Sequence, residues 1–259
     1  MKKIILSSIA AMALTTSASA FMGVGIDVGT GIWQPTLAGD VQYKSTNKIN
    51  FDNLGMDDKL DTSNNYVYLN FTHFVPIIPN VRIEKVGYTL FGNTKLTTDI
   101  TFNDKTFTAN TNVATTLDMS QVDYIAYWSV PLLNTATVGI LDVNYGLDLK
   151  QLTGSIVLDS EEEKFDEMVP LFYLNAVIDI PAIPVKLDGT IKTLSYDGTK
   201  ISDNEIKASI NLPIPLPLID FKLDIGYKVQ NITISDKLVN DLNANLDTKG
   251  LFVGLSAKF

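Results

Sequence analysis

The segment GLFVGLSAKF, with which the printed sequence closes, restricts the fold more than any other stretch. Its apolar side chains share one parity: Leu251, Val253, Leu255, Ala257 and Phe259. A period of two is typical of a β-strand with one apolar face, because successive side chains of a strand point to opposite sides. We therefore predict a closing strand whose apolar face meets either a protein core or lipid.

The same alternation recurs along the chain, between corners that contain proline. These corners are Phe74–Asn80, Ser129–Asn134, Asp179–Val185 and Leu212–Asp220. Proline cannot donate to a strand ladder, so it is typical of strand ends and tight turns. Counting the strands between the corners predicts about ten antiparallel strands, connected up and down. An even number of strands places the two chain ends at the same end of the up-and-down sheet.

Two folds produce this pattern. A soluble sandwich buries its apolar faces in a core, whereas a membrane barrel turns them toward lipid. Stretches such as Leu141–Lys150 are long enough for a tilted crossing of the bilayer, while sandwich strands average about 5–6 residues. Strand length therefore favours an all-β fold: a single up-and-down antiparallel transmembrane β-barrel. The alternation is irregular in Val81–Gly92 and at Leu194 and Tyr196, where we expect bulges or charged positions at the bilayer edge.

The first twenty residues have the pattern of a cleaved secretory signal peptide. Lys2 and Lys3 precede an apolar stretch, and Ala18 and Ala20 form a small-residue cleavage site. We therefore predict a signal peptide in residues 1–20 and one barrel domain in residues 21–259. Outside the signal, no apolar run approaches the roughly 20 residues of a membrane-spanning helix.

The connections opposite the proline corners are predicted to be longer, polar loops. They comprise Gln34–Asn65 (with a hairpin extension around Leu37–Tyr43 as one option), Asn93–Asn112, Asp159–Phe165, Asp197–Asn204 and Ser235–Thr248. Short turns on one side and longer polar loops on the other are typical of an outer-membrane barrel. The first loop contains Asp52, Asp57, Asp58 and Asp61, whose spacing does not match a calcium loop. We interpret it as a solvated loop.

Charged side chains of both signs fall on the parity opposite the apolar face. The candidate lumen charges are Asp142, Asp148, Lys150, Asp179, Lys186, Asp188, Lys192, Lys207, Asp220, Lys222, Asp224 and Lys228. A wide selective pore clusters one sign at a constriction, and only barrels of about sixteen or more strands leave a broad aqueous channel. The mixed signs therefore predict a lumen largely closed by ion pairs and hydrogen bonds.

Little in the chain points to catalysis. There is no cysteine, which excludes thiolate metal sites and cysteine nucleophiles. The single histidine, His73, lies at a proline corner, away from the outer rim where membrane-barrel hydrolases act, so we expect it to be structural. Glu161, Glu162 and Glu163 are interpreted as a solvated charge run rather than a site for divalent cations. We predict no enzyme activity, no catalytic residue, no metal and no cofactor.

Six segments resemble proteobacterial outer-membrane β-barrel proteins of unassigned function. They are His73–Asn80, Leu117–Trp128, Pro170–Pro181, Tyr196–Asp203, Asp224–Lys228 and the closing strand. The terminal Phe259 on that strand resembles the assembly signal of such barrels, formed here by Leu251, Val253, Leu255, Ala257 and Phe259. The resemblance implies an integral protein of the bacterial outer membrane. Its partners would be outer-membrane lipid, lipopolysaccharide and the barrel assembly machinery.

Two functions remain open from the sequence. The first is a non-enzymatic barrel with an envelope-structural or surface-binding role through its extracellular loops. The second is a narrow channel or transporter for a small or hydrophobic solute. The net charge of −9 argues against nucleic acid as a partner, because nucleic-acid binding needs a basic face. The sequence names no ligand.

Overall fold

A computed structural model describes residues 23–43, 48–54, 64–102, 105–214, 216, 219–235 and 242–259. These residues form thirteen strands and one short helix, α1 at Leu133–Ala136. The strands are β1 Val24–Tyr43, β2 Ile49–Leu54, β3 Asn65–His73, β4 Asn80–Lys95, β5 Ile100–Phe102, β6 Lys105–Phe107, β7 Asn112–Ser129, β8 Leu141–Leu158, β9 Glu161–Asp179, β10 Val185–Tyr196, β11 Thr199–Asn211, β12 Asp220–Ile234 and β13 Leu242–Lys258. The predicted signal peptide, including Ala18 and Ala20, lies outside the described residues. No helix among them could cross a membrane.

Ten strands close into a barrel, as predicted. Their order around the barrel is β1-β3-β4-β7-β8-β9-β10-β11-β12-β13, and β13 pairs back onto β1. All pairings are antiparallel, and the closing pair runs in register from Asp27 opposite Lys258 to Tyr43 opposite Leu242. A closed barrel leaves no unpaired sheet edge, which is the condition for spanning a membrane with strands. The prediction of an up-and-down barrel of about ten strands is confirmed.

Close packing at the closing pair depends on glycine. Gly254 of β13 and Gly31 of β1 face each other in register, and the ring of Tyr66 from β3 lies against both. A β-carbon at Gly254 would overlap the Tyr66 hydroxyl. The glycines on this inner face therefore allow an aromatic ring to fill the barrel beside its own wall.

The proline corners form the short turns at one end of the barrel, as predicted. The opposite connections differ from the prediction, because several of the expected loops are strand. Gln34–Tyr43 continues β1, and β2 pairs with this extension. β8 and β9 continue until only Asp159 and Ser160 remain between them, and β10 and β11 are joined by Asp197 and Gly198. The sequence predicted loops at these positions because their residues are polar. They are polar because the strands extend beyond the apolar belt into water.

The outer wall of the barrel is apolar next to the short turns and polar further along. On β8, the outward side chains run Leu141, Val143, Tyr145, Leu147 and Leu149, followed by Gln151, Thr153 and Ser155. Phe172 of β9 and Leu251 of β13 are 66% and 62% exposed on the same belt. An apolar exterior around a polar interior is the arrangement of a barrel dissolved in lipid. The barrel therefore spans the membrane through this belt.

Inside the barrel, the outer half is filled by an apolar core that the sequence reasoning missed. Fully buried members are Trp33, Leu37, Phe51, Leu90, Leu117 and Leu158. Ile100, Phe102 and Phe107 of the β5–β6 hairpin, which belongs to the β4–β7 connection, join the same core. The prediction that ion pairs and hydrogen bonds close the lumen is therefore wrong for this half of the barrel. Leu194 faces inward and packs against this core, which explains its parity without a bulge.

Candidate functional site

Six charged side chains of alternating sign form a closed circuit across the middle of the barrel. We call them the charged ring: Glu84, Lys192, Asp123, Lys150, Asp203 and Lys228. They come from six strands, β4, β10, β7, β8, β11 and β12. Lys150 Nζ lies 2.7 Å from Asp123 Oδ1 and 2.9 Å from Asp203 Oδ2.

The other two lysines complete the circuit. Lys228 Nζ lies 3.3 Å from Asp203 Oδ2 and 3.5 Å from Glu84 Oε1. Lys192 Nζ lies 3.9 Å from Glu84 Oε1 and also contacts Asp123 Oδ2. Each acidic residue of the ring therefore contacts two lysines, and each lysine contacts two acidic residues.

Strand register explains why a ring forms at this level. Glu84, Asp123 and Lys150 are directly paired across β4, β7 and β8. Lys192 and Asp203 are paired across β10 and β11. Two like charges directly opposite on neighbouring strands are destabilising, so the pair Glu84 and Asp123 needs a cation. Lys192 supplies it from the other side of the lumen.

The ring is buried in the barrel interior. Its six side chains are exposed by between 1%, for Asp123 and Lys150, and 7%, for Glu84. Burying a charge costs several kcal/mol unless it is paired and hydrogen-bonded. Gln121 and Gln230 complete the pairing on the side of the apolar core: they bond each other at 2.9 Å, and Gln230 Nε2 donates to Asp203 Oδ2 at 2.8 Å. The ring and its amides therefore block the middle of the barrel, and the space beside them toward Trp33 and Tyr66 is a cavity of only about 20 Å³.

A polar cavity of about 250 Å³ lies on the other side of the ring, toward the short turns. Arg82 bonds Glu84 at 3.0 Å and stacks on the Tyr68 ring, 3.9 Å from its centroid. Lys207 pairs with Asp188 at 3.6 Å. The cavity is lined by charges of both signs, so it can hold water or a small polar solute.

The twelve predicted lumen charges fall into four groups. Lys150, Lys192 and Lys228 belong to the ring, and Asp148 and Asp224 are buried in the barrel interior at 1% exposure. Asp142, Lys186, Asp188, Lys207 and Lys222 line the cavity. Asp179 and Asp220 lie at the strand ends, where Asp179 pairs with Lys186 at 2.5 Å.

The sequence reasoning missed the three acidic residues of the ring and the arginine beside it. Glu84 and Arg82 were attributed to an irregular stretch, but β4 pairs without a register shift. Both point inward, whereas Ile83 between them and Lys85 after them point outward. Asp123 and Asp203 have the inward parity of their strands, and that parity was the signal that could have identified them.

His73 contacts its own turn. Its Nδ1 accepts the backbone N–H of Val75 at 3.2 Å, and its Nε2 lies 3.1 Å from the carbonyl oxygen of Pro79. These contacts are structural in kind. Its expected lack of a catalytic role stays a prediction.

The structure describes only some of the acidic residues considered in the sequence. Glu161, Glu162 and Glu163 lie in β9, and Lys105 Nζ is 3.7 Å from both Asp159 and Glu161. No cluster of three metal-binding side chains occurs within the described part of the chain. Asp57, Asp58 and Asp61 lie outside it, as does the side chain of Asp52.

The predicted assembly signal lies on β13. Leu251, Val253 and Leu255 face outward, with exposures of 62%, 46% and 55%. Ala257 is opposite Val28 of β1, and the N–H of Phe259 donates to the carbonyl of Ile26 at 2.8 Å. These residues form part of the lipid-facing seam, and their role in assembly stays a prediction.

Comparison with known proteins finds similarity at the level of solved structures. No protein-family model matches the chain, and no curated protein matches it. It is similar to the translocator domain of the autotransporter NalP from Neisseria meningitidis (10% identity, TM-score 0.39, covering 98% of this chain and 97% of that one). It is also similar to the attachment invasion locus protein Ail of Yersinia pestis (9%, 0.34, 92% and 100%) and to the toluene transporter TodX of P. putida (8%, 0.26, 94% and 91%).

At these values the similarity says nothing about what this chain binds. The architecture stands on the chain's own geometry: ten antiparallel strands closed without an edge, an apolar outer belt and a polar interior beneath an apolar core. Only a membrane-spanning barrel explains a lipid-like exterior on a closed sheet. The chain is an integral membrane β-barrel with the fold of bacterial outer-membrane proteins.

Proposed function

We propose that this protein is a non-conducting, non-enzymatic barrel with an envelope-structural or surface-binding role through its outer hairpins. The observation that carries the proposal is the filled cross-section. The charged ring is buried, and beyond it Leu90 and Leu158 are 0% exposed. Residues that line a water-filled channel remain accessible to water, so these two layers favour a closed barrel.

The outer hairpins offer the surface for such a role. Above the apolar belt, the outward side chains of β9 are Glu162, Lys164 and Asp166, all exposed. These residues stand in water beyond the bilayer, on a paired two-stranded hairpin rather than on a long loop. Such a polar hairpin is suited to contact with another envelope component, such as lipopolysaccharide in the surrounding leaflet.

The alternative function, a narrow channel, requires the ring and the apolar core to move together. The cavity on the turn side gives a solute access only as far as the ring. A hydrophobic solute would also need an exit through the barrel wall. The described strand pairs show a register shift only at the β1–β2 extension, and the β9–β10 pairing is continuous from Asp179 to Phe172, beyond which β9 continues unpaired on that side. The proposal therefore places binding, not transport, first.

Planar-bilayer recording of the purified, folded protein tests the proposal. We expect no steady unit currents with potassium chloride on both sides, with a known porin in the same bilayer system as the positive control. Steady unit currents that depend on protein concentration would contradict it and favour the channel. A deletion strain should show altered sensitivity of the envelope to detergent while uptake of small solutes stays unchanged.

A further inference from the structure

The four short turns carry large apolar side chains that no described residue covers. These are Phe74, Ile77, Ile78, Leu132, Val138, Ile183, Ile214 and Leu216, of which Ile77 and Val138 are 87% and 88% exposed. The turns contain no charged residue between positions 74–79, 130–140, 180–184 and 212–219. Exposed apolar surface on this scale marks an interaction site. We propose that the turns are embedded in the hydrocarbon of the periplasmic leaflet.

The apolar side chains of the turns are continuous with the lipid-facing belt. On β13 the outward apolar side chains begin at Leu251 and continue to the end of the strand at the turn side. On β8 they begin at Leu149 and continue to Leu141, where the strand meets the α1 turn. No polar row separates the belt from the turns, so one apolar surface includes both.

On the closing strand, the apolar face is shorter than the apolar band of a typical barrel. Leu251–Phe259, at about 3.3 Å per residue and a tilt of about 40°, rises about 20 Å. The apolar band of outer-membrane barrels is about 25 Å tall. This strand therefore falls short of that height by about one turn layer. Immersing the turns supplies the missing height on the side where the side chains are apolar.

The described turns are depleted of backbone N–H donors. They contain six prolines: Pro76, Pro79, Pro131, Pro181, Pro184 and Pro213. Proline has no N–H to leave unsatisfied, and in hydrocarbon every unsatisfied backbone group costs several kcal/mol. In water, a free N–H group of a turn would bond to solvent, so the lack of N–H donors would bring no advantage there.

Several polar groups of the turns find partners within the chain. The α1 turn closes on itself, with the N–H groups of Ala136, Thr137 and Gly139 donating to preceding carbonyls at 2.8–2.9 Å. In the β3–β4 turn, His73 accepts the N–H of Val75 and Trp128 Nε1 donates to the carbonyl of Ile77 at 3.2 Å. Each of these internal bonds lowers the cost of placing the turns in lipid.

The inference is tested with single cysteines carrying an environment-sensitive fluorophore. The chain has no native cysteine, so Ile77→Cys, Val138→Cys and Leu216→Cys each give one labelled position. Ser160→Cys, on the tip of the β8–β9 hairpin, is the matched control in water. In phosphatidylcholine vesicles we expect turn labels to be quenched severalfold more by nitroxide-bearing lipid than by iodide, and the control label to show the reverse.

Measurements in bilayers of different thickness distinguish turns covered by lipid from turns covered by protein. In vesicles of shorter acyl chains, iodide should reach the turn labels more readily, whereas burial against a second copy of the chain would be independent of chain length. Heat-dependent migration on gels confirms that each variant is folded before it is measured. Iodide quenching of all three turn labels equal to that of the Ser160→Cys control, at every thickness, would overturn the inference.

Discussion

Asp123 and Lys150 are opposite each other on β7 and β8, and their charged atoms lie 2.7 Å apart in the middle of the barrel. The same Lys150 reaches Asp203 on β11 at 2.9 Å. One side chain thus joins a local strand pair to a strand on the far side of the lumen. This is what turns separate ion pairs into a closed ring.

Removing one cation from the ring should destabilise the barrel strongly. Lys150→Met leaves two buried carboxylates with one lysine each, and breaking a buried pair on one side costs about 3–5 kcal/mol. Urea unfolding in lipid vesicles, followed by tryptophan fluorescence, measures the loss. Lys164→Met on the exposed outer hairpin is the control, expected within about 0.5 kcal/mol of the parent protein. Equal stability of the two variants would show that the ring contributes nothing.

The apolar core should act as a second seal. In the double variant Glu84→Gln with Lys228→Gln, part of the ring loses its charge but keeps hydrogen-bonding groups. We expect this variant to remain silent in planar bilayers, because Trp33 and Leu117 close the barrel beyond the ring. Steady unit currents from this variant, with the parent silent, would show that the ring alone holds the barrel closed.

Core and belt leucines on one strand should respond differently to truncation. Leu158 of β8 is 0% exposed in the core, whereas Leu147 of the same strand is 57% exposed on the belt. Leu158→Ala should cost about 2–5 kcal/mol, because a cavity remains. Leu147→Ala should cost less in vesicles, since lipid tails are as apolar as leucine and fill the space. Equal losses in urea unfolding would argue against a packed, dry outer half.

His73 should contribute to stability through its turn. His73→Ala removes the acceptor for the Val75 N–H and the contact with the Pro79 carbonyl, and leaving such groups unsatisfied costs about 1–3 kcal/mol. Val75→Ala keeps that N–H and serves as the control in the same unfolding experiment. Lipase and protease assays on the parent and on His73→Ala test the absence of enzyme activity. Hydrolysis by the parent that His73→Ala abolishes would contradict the structural role.

The barrel fold, and the side of each strand that faces outward, could be predicted from the local sequence pattern. Strict alternation, as in Leu141–Lys150, identifies which side chains meet lipid, because a period of two separates the faces of a strand wherever it pairs. Proline marks the short turns for the same local reason: it has no N–H to pair. These features need no knowledge of the partner strand.

The ring and the apolar core were decided only by the tertiary structure. Parity puts Asp123, Lys192 and Asp203 inside, but which cation meets which carboxylate depends on strand register and on the distance across the closed lumen. The inward leucines of the outer half, such as Leu158, have the parity of the lumen charges, and no local rule distinguishes a watery interior from a packed one. Closure of the barrel decides that the interior is packed, because a barrel of ten strands is narrow enough for side chains from opposite walls to touch.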